Sequence, residues 1–166
     1  MNETNFEEVV NFNKSFGIKV FDNPQTNITK EDPELIKYRY DLIDEEVKEL
    51  KEAIDNHDFT EIVDALGDIL YVVYGMGSSI GVNLDNAFDI IHKSNMSKLC
   101  STEEEAKETV NWYKKNETKY DSPNYRKSED GKKWVVYNES TKKILKSINY
   151  NKVKFNLQDG SLNLKN

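Results

Sequence analysis

Apolar residues recur at helical spacing along the first two thirds of the chain, and local signals mark where each pattern starts and stops. Thr4 followed by Glu7 predicts a capped helix carrying Phe6, Val9, Val10, Asn13 and Phe16 and ending at Gly17. Residues 17–31 form an irregular connection, after which Asp32 and Pro33 supply an N-cap and first-turn proline for a second helix. The apolar side of that helix collects Leu35, Leu42, Ile43, Leu50, Ala53 and Ile54. Asn56, His57 and Asp58 turn the chain into a segment, Phe59 to Ile80, that is apolar nearly all the way round, the pattern of a buried helix.

Asn83 or Asp85 then caps a helix through Ala87, Phe88, Ile90 and Ile91 into HKSNMSKL, and Thr102 with Glu105 opens a short one carrying Ala106, Val110 and Tyr113. Residues 114–133 are polar and read as a long loop. Trp134 to Tyr137 and the shorter Ile144-Leu145 have strand propensity, with a turn around Asn138 to Thr141. The expectation is an all-α helical bundle of about five helices with a small C-terminal β-hairpin. Its helical part spans 1–115, its loop and hairpin extension 116–166, and its end from Phe155 to Asn166 is expected to be flexible.

Carboxylates interrupt both long helical patterns. Glu46 falls inside the apolar stripe of the first and Glu49 at its edge, while Glu61, Asp64 and Asp68 share one stripe of the second. Like charges on a buried helix repel one another and are costly to desolvate unless paired. The second helix has no Lys or Arg, and on the inner face of the first only Arg39 is cationic. A divalent cation with oxygen ligands, Mg2+ or Mn2+, is the remaining partner. Antiparallel packing would set Glu46 and Glu49 opposite Glu61 and Asp64, four charges that balance two divalent ions.

Simpler roles compete at single positions. Asp58 and Glu61 fit a capping box, and Glu45, Glu49 and Glu52 fit a solvated face. Lys93 and Lys98 complement a helix dipole. Asp89 and His92 have the spacing of a carboxylate-histidine metal pair, but a di-iron bundle needs two such pairs. Gly75, Gly77 and Gly81 imply either close helix packing or a fraying end.

The 166 residues fit one domain with a sizeable core. With 30 acidic against 23 basic residues and a net charge of -7, the chain is not expected to bind nucleic acid or an anionic membrane. A lone cysteine, Cys100, and an acidic start without an apolar leader point to a soluble, cytoplasmic protein.

In order, EEVKEL, EIVDALGDILYVVYG and HKSNMSK resemble the all-α nucleoside triphosphate pyrophosphohydrolases, the superfamily of MazG, phosphoribosyl-ATP pyrophosphohydrolase and the dimeric dUTPases. The family mark, E-x-x-E and then E-x-x-D-x-x-x-D-x-x-Y-V, is similar to Glu46, Glu49, Glu61, Asp64, Asp68 and Tyr71. The similarity runs from about Phe12 to Leu99 and returns at KKILKSINY, whereas 100–131 has no match in the short bacterial forms. The resemblance implies Mg2+ on Glu46, Glu49, Glu61 and Asp64, with Asp68 a further ligand and Glu45 beside Glu46 serving the attacking water. It also implies contacts from Arg39, Tyr71, Lys93, Asn95 and Lys98 to a nucleoside triphosphate, and a homodimer or tetramer. The implied products are nucleoside monophosphate and pyrophosphate. Phosphoribosyl-ATP as substrate, a nucleotide-binding module without turnover, and a structural helical bundle are the rival readings.

Overall fold

The computed structural model describes residues 3–155. Six helices, α1 (Asn5–Ser15), α2 (Ile28–Glu31), α3 (Pro33–Asp55), α4 (Phe59–Ile80), α5 (Leu84–Met96) and α6 (Glu103–Asn116), precede strands β1 (Pro123–Lys127) and β2 (Trp134–Asn138). The described chain forms two compact units that divide between Phe88 and Asp89. α5 carries the chain from one unit into the other.

In the first unit, α3 and α4 are the main packing pair, and α1 also lies against α4. The expected caps are present. Thr4 and Glu7 form a reciprocal capping box, Asp32 accepts from the Leu35 amide, and Asp58 accepts from the amides of Thr60 and Glu61. Asn83, rather than Asp85, caps α5 by accepting from the Asn86 amide at 3.1 Å.

α4 departs from the expectation of a helix buried all round. Its C-terminal half is enclosed, with Gly75, Gly77, Ser78 and Ser79 buried. Along its N-terminal half Phe59, Val63, Leu66 and Leu70 are exposed, at 77%, 55%, 48% and 58%. One neighbouring helix covers one stripe of a helix, and the all-round apolar character of α4 exceeds what this unit buries by itself.

Close packing, not fraying, accounts for the glycines. A methyl group on Gly75 would meet Arg39 Nη1 at 3.0 Å, and one on Gly77 would meet Leu84 Cγ at 2.5 Å. Gly81 ends α4 in the left-handed region at φ 73°. The irregular connection is pinned to that end, because the Phe21 amide donates to Ser78 O and the Gln25 amide to Ile80 O. Two carbonyls of the last turn of the helix thereby gain partners from the connection.

In the second unit α6 shares its core with the hairpin. Cys100, Ala106, Val110, Tyr113, Val136 and Leu145 form one buried cluster. The hairpin differs from the expected one. β2 pairs antiparallel with β1, which lies in the stretch read as loop, and the expected pairing of Trp134 to Tyr137 with Ile144-Leu145 survives as a single bridge, Tyr137 to Ile144. Proline at the start of β1 and flanking charges hide its strand character in the sequence.

Asn138 locks this junction. It is fully buried, donates to Asp121 Oδ1 at 2.9 Å, to Ser140 Oγ at 3.0 Å and to Thr141 Oγ1 at 3.0 Å, and accepts from the Ser122 amide at 3.0 Å. Asn138→Ala should cost about 3 kcal/mol, from lost bonds and stranded buried partners. A chemical denaturation midpoint reads this directly. The hydroxyl of Ser140, the Asn138 amide and the Ser122 hydroxyl hold the Asp121 carboxyl down to about 2 from an ordinary 3.8. Its contribution is therefore complete above the ordinary value and is lost as pH falls through about 2. Asp121→Asn should remove that part of the acid dependence of stability, and an unchanged acid limb would refute this.

Candidate active site

The site predicted from sequence centres on the α3/α4 pair. Glu46 is half-buried on α3, and its Oε2 is out of solvent with no hydrogen-bond partner. Burial and then the charges of Glu49, Asp68, Glu45 and Asp64 push its carboxyl above the ordinary range. Two of these neighbours come from α3 and two from α4, so both helices contribute acid to one locality. Of the two α4 carboxylates expected opposite Glu46 and Glu49, Asp64 is among the charges acting on Glu46 and Glu61 is not, while Asp68, outside that expected set, is.

Glu45 and Glu49 are exposed and line a groove on α3 with Asp41, Asp44, Lys48 and Glu52. Glu61, Asp64 and Asp68 line an open groove on α4 beside Phe59, Val63 and Gly67. This groove runs between the acidic stripe and the exposed apolar stripe of the helix. All three α4 carboxylates are exposed, correcting the expectation that they are buried. The capping role for Glu61 is excluded in its reciprocal form, because the Asp58 amide donates to Ala53 O instead.

Among the described residues no three Asp, Glu, His or Cys side chains converge closely enough to hold a metal ion. Like charges repel across such distances. The stranded Glu46 oxygen and the four surrounding carboxylates nonetheless have the chemistry of a hard divalent-ion site, oxygen donors in excess of any cationic partner.

Arg39 is placed elsewhere. It is 3% exposed and donates from Nε to Ser79 Oγ at 2.8 Å. Ser79 Oγ in turn donates to Lys19 O at 3.1 Å, and Asn13 donates to the neighbouring Ser78 Oγ at 2.7 Å. Arg39 thus sits in a buried polar network at the far end of the helix pair, with Nη2 unpartnered. Sequence reasoning missed this network, although Ser78-Ser79 at the end of an apolar helix was its signal. Tyr71 packs edge-on against Phe12 of α1 at 5.5 Å. Lys93, Asn95 and Lys98 belong to the second unit, where Lys93 pairs with Asp89 and Lys98 donates to Asn95 Oδ1 at 2.8 Å.

An all-α unit with an acidic helix pair and this motif order defines the class of the nucleotide pyrophosphohydrolases. Residues 11–95 match the model of the phosphoribosyl-ATP pyrophosphohydrolase family, and the chain belongs to that family. The matched span includes all the acidic candidates, Arg39, Tyr71, Lys93 and Asn95, and stops short of Lys98. The chain is also 31% identical over 229 residues to an uncharacterized protein of Acanthamoeba polyphaga mimivirus, covering 87% of this chain and 91% of the relative. A pyrophosphohydrolase-type activity on nucleotides follows from the family. No single helix among the described residues is long and apolar enough to cross a membrane.

Proposed function

We propose that this chain is a Mg2+-dependent nucleoside triphosphate pyrophosphohydrolase that converts a (d)NTP and water to the (d)NMP and pyrophosphate. Its role would be to clear unwanted nucleotides or control a nucleotide pool in the cytoplasm. The observation that carries the reading is the buried, unpartnered Glu46 oxygen amid the charges of Glu49, Asp64 and Asp68. A carboxylate held so at a cost to the fold is accounted for by a ligand that needs it.

Glu46, Glu49, Glu61 and Asp64 would hold Mg2+, or Mn2+ in its place, with Asp68 as a further ligand. Such ions, when bound, supply charge neutralisation and polarisation of the attacked phosphoryl group. Glu45 would take the proton of the attacking water as its oxygen bonds to the α-phosphorus and the α–β anhydride bond breaks. Glu46 joins it in fixing that water, and Lys93, Asn95 and Lys98 would contact the phosphates or nucleoside.

The exposed apolar stripe of α4 supports a homodimer through this helix. Phe59, Val63, Leu66 and Leu70 recur at one helical face, and a second copy would bring an identical apolar stripe to it. Leu70→Glu should yield monomers by light scattering, while an unchanged mass would exclude this face.

The deciding assay offers canonical and modified nucleoside triphosphates, and phosphoribosyl-ATP, with Mg2+ or Mn2+, and measures pyrophosphate and orthophosphate separately. Pyrophosphate from nucleoside triphosphates is expected. Orthophosphate alone, or turnover confined to phosphoribosyl-ATP, would refute the reaction or the substrate proposed.

A further inference from the structure

The net acidity of the chain conceals a division. Residues 3–88 carry nineteen Asp and Glu against seven Lys and Arg, whereas residues 89–155 carry fifteen Lys and Arg against ten Asp and Glu. The second unit is therefore basic, and part of that charge converges. Lys98, Lys119, Lys143 and Lys146 line one cavity of about 400 Å³ with Tyr120 and a single carboxylate, Glu117.

The lysines are poorly neutralised. Lys119 lies 3.7 Å from Glu117, and its ammonium also stands 5.1 Å from the centre of the Tyr120 ring. Lys143 shares that ring at 5.6 Å, and Lys146 stands 4.6 Å from the Tyr150 ring. Lys98 has the neutral Asn95 amide oxygen. Four lysines lining one cavity with a single carboxylate among them create a positive potential that a multivalent anion relieves.

The wall of the cavity adds a second chemistry. Tyr120 meets Tyr113 edge-on at 5.5 Å, and Trp112, 45% exposed, meets Tyr113 at 5.1 Å. Aromatic faces beside phosphate-binding cations suit a planar base joined to phosphates. The volume falls in the small-molecule range, and an extended strand would need a track of such features rather than one cavity.

We propose that the second unit holds a nucleotide-binding site of its own, on Lys119, Lys143, Lys146 and Tyr120, which takes a nucleoside polyphosphate without a metal ion. It does not depend on the carboxylate site, where a triphosphate cannot approach bare acid.

Both tryptophans of the chain, Trp112 and Trp134, lie in this unit, so intrinsic fluorescence reports on it. The full-length protein in EDTA would be titrated with adenosine, AMP, ATP, tripolyphosphate and a short oligothymidylate. ATP should bind more tightly than AMP, with adenosine not binding. Lys119→Ala and Lys143→Ala should each weaken ATP by about tenfold, the scale of one charged hydrogen bond. Glu49→Gln should bind as the parent does in EDTA. Both lysines are exposed, and unchanged melting of the variants would show that the fold is kept. Absent ATP binding, equal binding by the lysine variants, tripolyphosphate binding as tightly as ATP, or tighter binding of the oligonucleotide would each overturn the proposal.

Discussion

Glu46→Gln should abolish metal-dependent turnover and at the same time raise the melting temperature of the metal-free protein. The substitution keeps the shape of the side chain and removes its charge. In the metal-free protein that charge is opposed by burial and by Glu49, Asp68, Glu45 and Asp64, so its loss relieves the fold. Turnover should fall by at least about a hundredfold, since even residues that merely orient metal ligands cost 10–100-fold when lost. Added Mg2+ should raise the melting temperature of the parent by linkage and that of the variant much less. Opposite signs on stability and activity mark a functional carboxylate. A variant that melts lower in EDTA, or one that keeps Mg2+-dependent turnover, would remove Glu46 from the site.

Gly81→Ala is expected to be among the most damaging single substitutions in the first unit, with a loss of about 4 kcal/mol or more. Its methyl group would lie 1.9 Å from Asn23 O and 2.5 Å from Asn23 C, both backbone atoms that no rotamer change can clear. Moving that backbone also pulls Phe21 and Gln25 from the carbonyls at the end of α4. Gly17→Ala provides the control. Gly17 has nearly the same backbone angle, φ 70°, with nothing within 4 Å of the added methyl group, so only the left-handed strain of about 1–2 kcal/mol applies. Denaturant unfolding of the two variants separates clash from backbone strain. Equal losses would mean that the approach of the connection to α4 contributes little.

The helices and their ends were legible because their signals are local. Thr4, Asp32, Asp58 and Thr102 all cap where the sequence puts them, each through a side chain bonding an amide two or three residues on. The acidic pattern on α3 and α4 was legible for the same reason, since helical spacing alone puts Glu61, Asp64 and Asp68 in one stripe. The partner of β2 was not legible. Pro123 to Lys127 has little strand propensity, and it becomes a strand because Val135 and Val136 need a cover and Asn138 ties Ser122 to the end of β2. Residues 156–166, which include nearly all of the end expected to be flexible, lie outside the described residues.

Side-chain roles followed the same division. The family resemblance implies Arg39, the only cation on the inner face of its helix, as a contact to the triphosphate or an anchor of the carboxylates. Its actual partner is Ser79, forty residues away in sequence, and the choice depends on which turn of α4 crosses α3 at that level. Likewise the exposure of Phe59, Val63, Leu66 and Leu70 could not be read from their hydrophobicity. By itself the sequence determined the five longer helices, their caps, the acidic stripes and the family, because these rest on periodicity and on contacts within a few residues, whereas the one-turn α2, inside the stretch read as irregular, is too short to show a period. Only the tertiary structure decided the pairing of β1, the burial of Arg39, the stranding of the Glu46 oxygen and the convergence of the lysines in the second unit. Each of these depends on which distant segments occupy the same space.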